Sequence, residues 1–414
     1  MAPFRYRAVW RNADHWGREG NLDRLIHASL HPSVSAGLHE GHRRGAMRIV
    51  IAAWHLKDFN VGLGRYSRGL IEALGRVDSE NQYEILLPDD SYTFPERSNV
   101  RYHLIRFPLF KRRVWEQVAP RLVGEYDLLH CPYDSTIRQK RGKFVVTIHD
   151  VKPLLFPSLK KSLNVNRLVE QWWVGDRWKW IDHVMTPSEH SKQDIVRFLK
   201  LDPQRVSVVY PGINGAWFAP APDRSSSRWR EKAYLLTVAG NDPTKNVETL
   251  LHAYALLPES IRTTVDLVLA GDMSERDDLR GLARLLGIEA HTVFTGRIKD
   301  DELVALYQGA RLFVFPSLYE GFGFPVLEAM ACGCPVLTSN VSSLPEVAGE
   351  AAILLDPMDQ KEWARQMEHV LSDSMVQMKM RECGLEQAKR FTWEKFTDQL
   401  LLLYDELQHT QKKE

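Results

Sequence analysis

Two carboxylates, Glu320 and Glu328, stand eight positions apart in a glycine-bearing segment of this 414-residue chain. The residues that directly follow the first carboxylate are Gly321, Phe322 and Gly323. Pro325 suits the first turn of a helix, where its missing N–H costs nothing, so we expect a loop that runs into a helix N-terminus. Free backbone N–H groups at such a terminus bind phosphate. Each carboxylate accepts hydrogen bonds from hydroxyls, which sugar and ribose rings offer.

This pair of acids also has a purely structural interpretation. Glu320 would then be an exposed loop acid, and Glu328, placed in the first helical turn, would only interact with the helix dipole. The predicted strand at 312–315 ends beside the loop in both cases. The pattern alone does not decide between the two interpretations.

A lysine follows the first predicted strand of the same half of the chain. Lys245 closes the segment Gly240-Asn241-Asp-Pro-Thr-Lys245, which comes after a predicted strand at 234–238 and precedes a helix. An ammonium at that place is a point charge for a diphosphate. An ordinary solvated lysine is the alternative.

A histidine occupies the corresponding place in the first half of the chain. His149 follows the predicted strand at 144–148, so it lies at the carboxyl edge of that strand. An imidazole there can contact a sugar hydroxyl or stabilise charge. Alternatively, it forms a hydrogen bond with Asp150 or with backbone and only holds its loop.

Two glycines, Gly62 and Gly64, follow the strand predicted at 47–54 and open a helix. The segment is not a full dinucleotide fingerprint, because no third glycine follows at the required spacing. Glycines at this place let another group approach the backbone closely, so we include both among the candidate substrate-binding residues.

Short apolar runs alternate with helical spacing along most of the chain. They lie at 47–54, 83–87, 128–131, 144–148, 184–186 and 206–210, and again at 234–238, 265–270, 292–295, 312–315, 336–338 and 353–355. Short apolar strands between helices predict parallel sheets covered on both faces. The predicted fold class is therefore α/β, with two doubly wound Rossmann-like domains that face a central cleft, where ligands of such sheets bind.

A break in the alternation sets the predicted domain boundaries. Proline, glycine and serine concentrate at 211–231, which is linker composition. We therefore expect four segments: an N-terminal extension at 1–46, a first domain at 47–222, a second domain at 223–392, and a C-terminal helix at 393–414 that docks back.

Composition excludes several classes of protein. The formal net charge of +1 provides no electrostatic footprint for nucleic acid. Four cysteines are too few for a disulfide framework, and there is neither a long apolar run nor a secretory leader pattern. No Asp-x-Asp occurs in the sequence, so we predict no metal site and no cofactor.

These motifs together resemble the retaining glycosyltransferases of family 4, which have the GT-B fold. The resemblance covers Met47 to about Leu407, and its most specific element is the pair Glu320 and Glu328 with the glycine turn between them. Further similar phrases are Thr186-Pro-Ser188-Glu-His-Ser191, Val209-Tyr-Pro-Gly212-Ile-Asn214, Ala331-Cys-Gly-Cys-Pro335, and Phe294-Thr-Gly296-Arg297. The segment His149-Asp150-Val-Lys-Pro153 is similar to mannosyltransferases of polysaccharide assembly.

The resemblance implies roles for the candidate residues. His149, Lys245 and Glu320 would be catalytic, with Glu320 on the donor sugar and Lys245 on the leaving diphosphate, while Glu328 would hold the ribose. The other substrate-binding positions would be Gly62, Gly64, Asn241, Gly296, Arg297, Gly321, Phe322 and Gly323. Asn241 stands where many members carry an arginine, so a second cation for the diphosphate is missing from that loop.

The resemblance also implies the reaction and its partners. We expect metal-independent, retaining hexosyl transfer from a GDP- or UDP-sugar, most specifically GDP-mannose, to a glycan or lipid-linked glycan. Basic and aromatic clusters at 110–115, 160–161 and 172–180 would contact the inner membrane from the cytoplasm, unless they are a solvated loop and core tryptophans. The alternatives in function are a nucleotide-sugar-binding protein without turnover and a UDP-glucose-dependent transferase of the same fold.

Overall fold

The structure is a computed structural model that describes residues 45–58, 62–106, 112–135, 137–138, 141–156, 176–218 and 232–409. The predicted extension at 1–46 therefore lies almost wholly outside the described residues, as does most of the predicted linker. The domain boundaries stay predictions. Residues Ala46–Glu414 form one compact unit.

Two parallel sheets organise the described chain. The first has seven strands in the order β3-β2-β1-β4-β5-β6-β7, and the second has six in the order β10-β9-β8-β11-β12-β13. The strands are β1 Arg48–Ala52, β2 Gln82–Leu87, β3 Val100–Leu104, β4 Leu128–Cys131, β5 Lys143–Thr147, β6 His183–Thr186, β7 Val206–Val208, β8 Ala233–Val238, β9 Val265–Ala270, β10 Thr292–Gly296, β11 Leu312–Phe315, β12 Val336–Ser339 and β13 Ile353–Leu355.

Helices connect these strands and cover the sheets. They are α1 Gly62–Val77, α2 Arg112–Val118, α3 Lys152–Leu155, α4 Glu189–Leu199, α5 Val247–Ala255, α6 Glu259–Arg262, α7 Asp277–Leu285, α8 Asp300–Gly309, α9 Phe324–Ala331, α10 Leu344–Ala348, α11 Gln360–Ser372, α12 Ser374–Ala388 and α13 Trp393–His409. Within the described residues, no helix is long and apolar enough to cross a membrane.

Central strands are buried on both faces, which explains their continuous apolar runs. Every residue of β4, β11 and β12 is buried, as expected where helices cover both sides of a parallel sheet. Each sheet contributes to two hydrophobic clusters, one on each face. The predicted fold class, two doubly wound Rossmann-like sheets, is confirmed.

One strand was not predicted. β3 is an edge strand that pairs only with β2 among the described strands. Of its five residues only Val100 is buried, and Arg101 and Leu104 are exposed. An edge strand carries polar residues that interrupt the apolar run, so the pattern used for the other strands does not detect it.

The last helix packs on the first half of the molecule. Trp393 of α13 lies against Gly69 of α1 so closely that a Cβ on Gly69 would come within 2.0 Å of the indole ring. Phe396 and Tyr404 are also fully buried in the first-half cluster. The chain therefore crosses back to the first sheet after completing the second.

Candidate active site

The loop after β11 holds Glu320 as a buried, hydrogen-bonded carboxylate. Its side chain is only 10% exposed, and Ser317 Oγ donates to its Oε1 at 2.6 Å. Its backbone N–H donates to Ser342 Oγ at 3.0 Å, and its carbonyl accepts from Ser343 Oγ at 3.0 Å. An exposed loop acid would have none of these contacts.

Lys245 is the direct ionic partner of Glu320. Its Nζ lies 2.6 Å from Glu320 Oε1, although the two residues are 75 positions apart. Burial opposes ionisation of Glu320, but the nearby Lys245 and Lys152 and hydrogen bonds from Lys245 and Ser317 outweigh it, so the pKa of Glu320 is lowered. The pair places an ammonium and a carboxylate side by side at the carboxyl edge of the second sheet.

The turn that carries Lys245 is fixed by two side chains. Asp242 Oδ1 accepts from the Thr244 backbone N–H at 2.9 Å and caps the short 3-10 helix Pro243–Lys245. Asn246 adopts a left-handed backbone with φ of 53° and donates to the carbonyls of Pro316 and Pro357 at 3.0 and 2.8 Å. Lys245 thus stands on a rigid turn between β8 and α5.

Gly321 lets the two halves approach each other. A Cβ at this position would lie 2.4 Å from the carbonyl oxygen of His149, so only glycine fits. The Gly321 carbonyl accepts from Ser188 Oγ at 2.7 Å and from Ser191 Oγ at 3.0 Å. The same Ser191 hydroxyl also lies 3.0 Å from the His149 carbonyl oxygen. The Gly321 loop and the His149 loop are therefore in direct contact.

His149 is held in one tautomer. Its Nε2 lies 3.1 Å from the carbonyl oxygen of Pro132, which can only accept, so Nε2 carries the hydrogen. The ring packs edge-on against Tyr66 at 4.5 Å. Burial lowers the pKa of His149 against smaller opposing effects from Pro132 and Asp150. The neutral ring therefore has Nδ1 as a hydrogen-bond acceptor.

Glu328 is buried in an ionic cluster that crosses between the halves. Arg65 Nη1 lies 2.9 Å from Glu328 Oε1, and Tyr307 donates to Oε2 at 3.1 Å. Arg65 also pairs with Asp300. Burial raises the pKa of Glu328, although Arg65 and Tyr307 oppose this effect.

The expected position of Glu328 in the first helical turn was wrong. Helix α9 begins at Phe324, which makes Glu328 its fifth residue, in the second turn. Gly323, with φ of 113°, is the helix N-cap, so the helix begins directly after the glycine turn and Glu328 lies more than one turn from its start. The side chain faces Arg65 and Tyr307 rather than the free N–H groups of the helix start.

The remaining candidate residues differ in burial and in hydrogen-bond partners. Phe322 is buried and packs on Phe324 and Phe391 at 5.1 and 5.7 Å, so only its backbone can face a ligand. Asn241 uses its side-chain oxygen to accept from the Glu275 N–H at 2.9 Å. Arg297 is 85% exposed and pairs with Asp272 at 3.1 Å.

The glycines among the candidates also differ in setting. Gly296 is exposed, with φ of 71°, a conformation that favours glycine. Gly62 and Gly64 lie in the first turn of α1, the helix that they open. Gly62 is exposed and Gly64 is buried.

Sequence reasoning missed the residues that join the two halves. Lys152, Arg65 and Asp300 all form ionic contacts across the chain, and Ser317 bonds to Glu320. Lys152 and Arg65 stand inside segments that the sequence analysis singled out for other residues. A signal was present in the sequence. Arg65 directly follows Gly64, and Lys152 follows His149 by three positions, so each predicted loop of the first half has a cation close to it.

Comparison with known proteins agrees with this geometry. The family model described as Glycosyltransferase Family 4 matches residues 61–216, and the model described as Glycosyl transferases group 1 matches residues 221–389. O-antigen chain mannosyltransferase B of Escherichia coli is 29% identical over 86% of this chain and 99% of its own length. The serotype-specific mannosyltransferase WbdA of Escherichia coli is 33% identical over 61% of this chain, which corresponds to 32% of that longer protein.

Solved structures share the architecture. HepE of Anabaena, crystallised with UDP and glucose, superposes with a TM-score of 0.65 at 18% identity, covering 87% of this chain and 100% of that one. At this identity the likeness concerns the fold. The two sheets and the paired family models define a glycosyltransferase of the GT-B fold. The chain belongs to glycosyltransferase family 4.

Proposed function

We infer that this protein is a retaining, metal-independent hexosyltransferase that transfers mannose from GDP-mannose to a glycan or lipid-linked glycan. The observation that carries the proposal is the buried Lys245–Glu320 pair, 2.6 Å apart, which faces the His149 loop across the Gly321 contact. The mannosyl donor is supported by the two relatives named as mannosyltransferases.

Each charged group has a separate part in the proposed reaction. As the donor loses its sugar, negative charge develops on the leaving diphosphate, and a fixed ammonium at Lys245 stabilises that charge where it forms. Glu320, ionised beside Lys245, accepts hydrogen bonds from donor hydroxyls. His149 accepts a hydroxyl hydrogen through Nδ1. No carboxylate nucleophile is needed when attack and departure occur on the same face of the sugar.

The remaining site residues would define the donor's position. Glu328 would accept from the ribose hydroxyls after exchanging one of its present partners, Arg65 or Tyr307. The backbones of Gly321, Phe322 and Gly323 would approach the donor. The backbone at Gly296 would meet the base. Acceptor contacts would come from the first half, beside Gly62, Gly64 and His149.

Membrane contact has mixed support among the expected segments. Trp115 is buried and donates to the Ile105 carbonyl at 2.8 Å, and Arg112 pairs with Glu116 at 2.8 Å. Trp115 belongs to the protein interior, as the alternative interpretation expected for the tryptophans, whereas the Arg112 side chain is 27% exposed. Lys160, Lys161, Trp172 and Trp173 lie outside the described residues. Cytoplasmic location with peripheral contact at the inner membrane therefore remains part of the proposal.

A donor panel tests the proposal. GDP-, UDP- and ADP-sugars are compared by thermal shift and by transfer to a mannose oligosaccharide, since a ligand that binds only the native state raises its stability. We expect GDP-mannose to do both, with the product anomer, read by NMR, matching the donor. Stabilisation and transfer by UDP-glucose, with neither from GDP-mannose, would show that the donor is wrong. Binding without turnover would indicate a non-catalytic protein.

Chelation tests the metal independence separately. We expect the transfer rate in excess EDTA to equal the untreated rate, because the sequence offers no Asp-x-Asp to bridge a metal to the diphosphate. The measurement is the initial rate before and after chelation, with manganese or magnesium restored. Loss under EDTA that either ion reverses would contradict the prediction.

A further inference from the structure

A second ammonium reaches the donor site from the first half of the chain. Lys152 opens helix α3, three residues after His149, and its side chain is 18% exposed. Its Nζ lies 3.0 Å from Asp242 Oδ2, at the start of the loop that carries Lys245. Burial disfavours the charged form, but Glu320, Asp242 and Asp150 together raise the pKa of Lys152, so the ammonium stays charged.

Asp242 serves two separate functions with its two oxygens. Oδ1 accepts from the Thr244 N–H and hydroxyl at 2.9 and 2.8 Å and caps the Lys245 turn. Oδ2 faces Lys152. The turn that positions Lys245 is therefore complete without Lys152, and the Lys152 ammonium can change partner without disturbing it.

The loop that carries Lys245 provides one ammonium, whereas a departing nucleoside diphosphate carries more negative charge than one ammonium balances. Asn241 contributes no cation, and its side-chain oxygen already accepts from Glu275. Lys245 Nζ lies 2.6 Å from Glu320 Oε1, and the charge of Lys152 also lowers the pKa of Glu320, so both ammonium groups act on the same carboxylate. Lys152 is thus the described cation placed to share the diphosphate with Lys245.

We propose that Lys152 is the second cation of the leaving diphosphate, exchanging Asp242 for a phosphate oxygen when the donor binds. The inference rests on the proposed function. In the transfer step the bond between the sugar C1 and the diphosphate oxygen breaks, and its electron pair stays on the diphosphate. A bond forms between C1 and the acceptor oxygen, whose proton passes to the diphosphate. Lys152 stabilises the charge on that leaving group.

The two cations come from different halves of the molecule, which limits when the reaction can occur. Lys152 belongs to the first half and Lys245 to the second, so both cations meet only while the halves are in contact. The leaving group would then be fully stabilised only in the closed arrangement, when the acceptor half is in place. Donor hydrolysis without an acceptor is thereby suppressed, because closure is a condition of catalysis.

The competing explanation is that Lys152 only tethers the halves through Asp242. The two explanations differ in the effect of Asp242→Asn, which keeps the Oδ1 acceptor of the cap and removes the charge facing Lys152. If Lys152 is only a tether, Asp242→Asn and loss of Lys152 have the same effect. If Lys152 binds the diphosphate, Asp242→Asn leaves it free to do so.

The experiment compares four variants: Lys152→Met, Lys152→Arg, Asp242→Asn and the control Lys143→Ala. Lys143 is matched in exposure, at 17%, and lies 3.9 Å from Asp182 at the other end of the first sheet. For each variant we measure kcat and KM for transfer from the accepted donor. Calorimetry gives the affinities for the diphosphates GDP and UDP and, separately, for the monophosphates GMP and UMP.

We expect Lys152→Met to lower kcat about a hundredfold and to weaken the diphosphate at least about tenfold, with the monophosphate unaffected. Lys152→Arg should recover most of the loss, Asp242→Asn should lose clearly less kcat and diphosphate affinity than Lys152→Met, and Lys143→Ala should stay within about threefold of the unaltered protein. Equal losses in Lys152→Met and Asp242→Asn, or a normal kcat in folded Lys152→Met, would overturn the inference. Absence of transfer by the unaltered protein would instead overturn the proposed function.

Discussion

At the scale of single residues, the Lys245–Glu320 pair is the contact on which we expect turnover to depend most directly. We expect Glu320→Gln and Lys245→Ala each to lower kcat about a hundredfold to a thousandfold, the usual loss when one fixed transition-state contact is removed. The measurement is steady-state transfer on protein whose thermal unfolding remains cooperative.

Lys143→Ala is the matched control for these substitutions, since Lys143 is also a half-buried lysine with an acidic partner but lies away from the site. Glu320→Gln is the cleaner of the two test variants, because removing Lys245 leaves a buried carboxylate with less compensation. Near-normal transfer in either folded variant would refute the site assignment.

The sequence predicted the residue types of this pair but not its contacts. Glu320 and Lys245 were identified from loop composition and family resemblance, and the structure places them in direct contact. The partners Arg65 and Lys152 were not predicted. They approach Glu328 and Asp242 from positions 263 and 90 residues away, and no local pattern reports a contact between two separately folded sheets.

At the scale of secondary-structure elements, local patterns predicted well wherever both faces of a strand are buried. Strands such as β9 and β11 agree with the predicted bounds, because a covered parallel strand is a short apolar run. β3 was missed because a solvent-facing edge does not require apolar residues. Glu328 was placed one turn too early, because α9 already begins at Phe324, directly after the left-handed Gly323, and the point where a helix starts within a glycine-bearing loop is not visible in composition.

The contact between the Gly321 loop and the His149 loop gives an element-scale prediction. In Gly321→Ala the new methyl would meet the His149 carbonyl oxygen at 2.4 Å and the Asp150 Cβ at 3.2 Å, so one loop must move. We expect kcat to fall about a hundredfold, as for other displacements of catalytic groups by about 1 Å. Transfer kinetics and a thermal midpoint provide the measurement.

Gly281→Ala is the control for that substitution. Gly281 lies within helix α7, and a Cβ there meets nothing within 4 Å. Alanine in a helix interior is favoured over glycine by about 0.5–1 kcal/mol, so this variant should match or exceed the stability of the unaltered protein at full activity. Unchanged kcat in Gly321→Ala would mean that the contact between the loops is not needed in the reacting state.

At the scale of the whole molecule, polar contacts join the two sheets' elements around the site. Glu346 of α10 accepts from the first two N–H groups of α4, those of Glu189 and His190, at 2.9 and 2.7 Å. Tyr319 donates to Asp194 at 2.7 Å. Together with the Lys152–Asp242 and Arg65–Glu328 pairs, these contacts hold the elements of the two sheets together around the site.

The segment before the first strand yields a whole-molecule prediction. Met47 is the first residue tied to the sheet, since its N–H donates to Asn81 Oδ1 at 2.9 Å and its carbonyl accepts from Gln82 at 2.8 Å. Ala46–Glu414 is a compact unit. A protein that starts at Met47 should therefore keep its thermal midpoint and its transfer rate. Aggregation, or loss of the thermal transition, would show that residues 1–46 are structural.

The return of the last helix to the first sheet makes stability depend on pH. His130 of β4 is fully buried, and its two ring nitrogens lie 2.6 Å from Tyr404 Oη of α13 and 2.9 Å from Thr147 Oγ1. Burial, with a smaller effect from His149, lowers the pKa of His130 to about 3. Unfolding exposes this ring, and its pKa returns to the ordinary value of about 6.5.

Acid destabilises the folded protein because His130 binds a proton more readily in the unfolded chain. Below pH 6.5 the unfolded chain binds a proton at His130 that the folded chain does not, so acid favours unfolding. Between pH 7.5 and 5.0 this single group should remove about 2 kcal/mol of unfolding free energy. His55 and His183, whose pKa values burial lowers to about 4, act in the same direction.

The measurement is urea unfolding of the unaltered protein and of His130→Gln at pH 7.5, 6.0 and 5.0. Glutamine keeps a donor and an acceptor toward Tyr404 and Thr147 but does not titrate. The variant should be less stable at pH 7.5, yet its loss on going to pH 5.0 should be smaller by about 2 kcal/mol. Comparing the two proteins cancels the contributions of His55, His183 and the carboxylates. Parallel pH profiles would mean that His130 does not hold α13 against the first sheet as a neutral, buried ring.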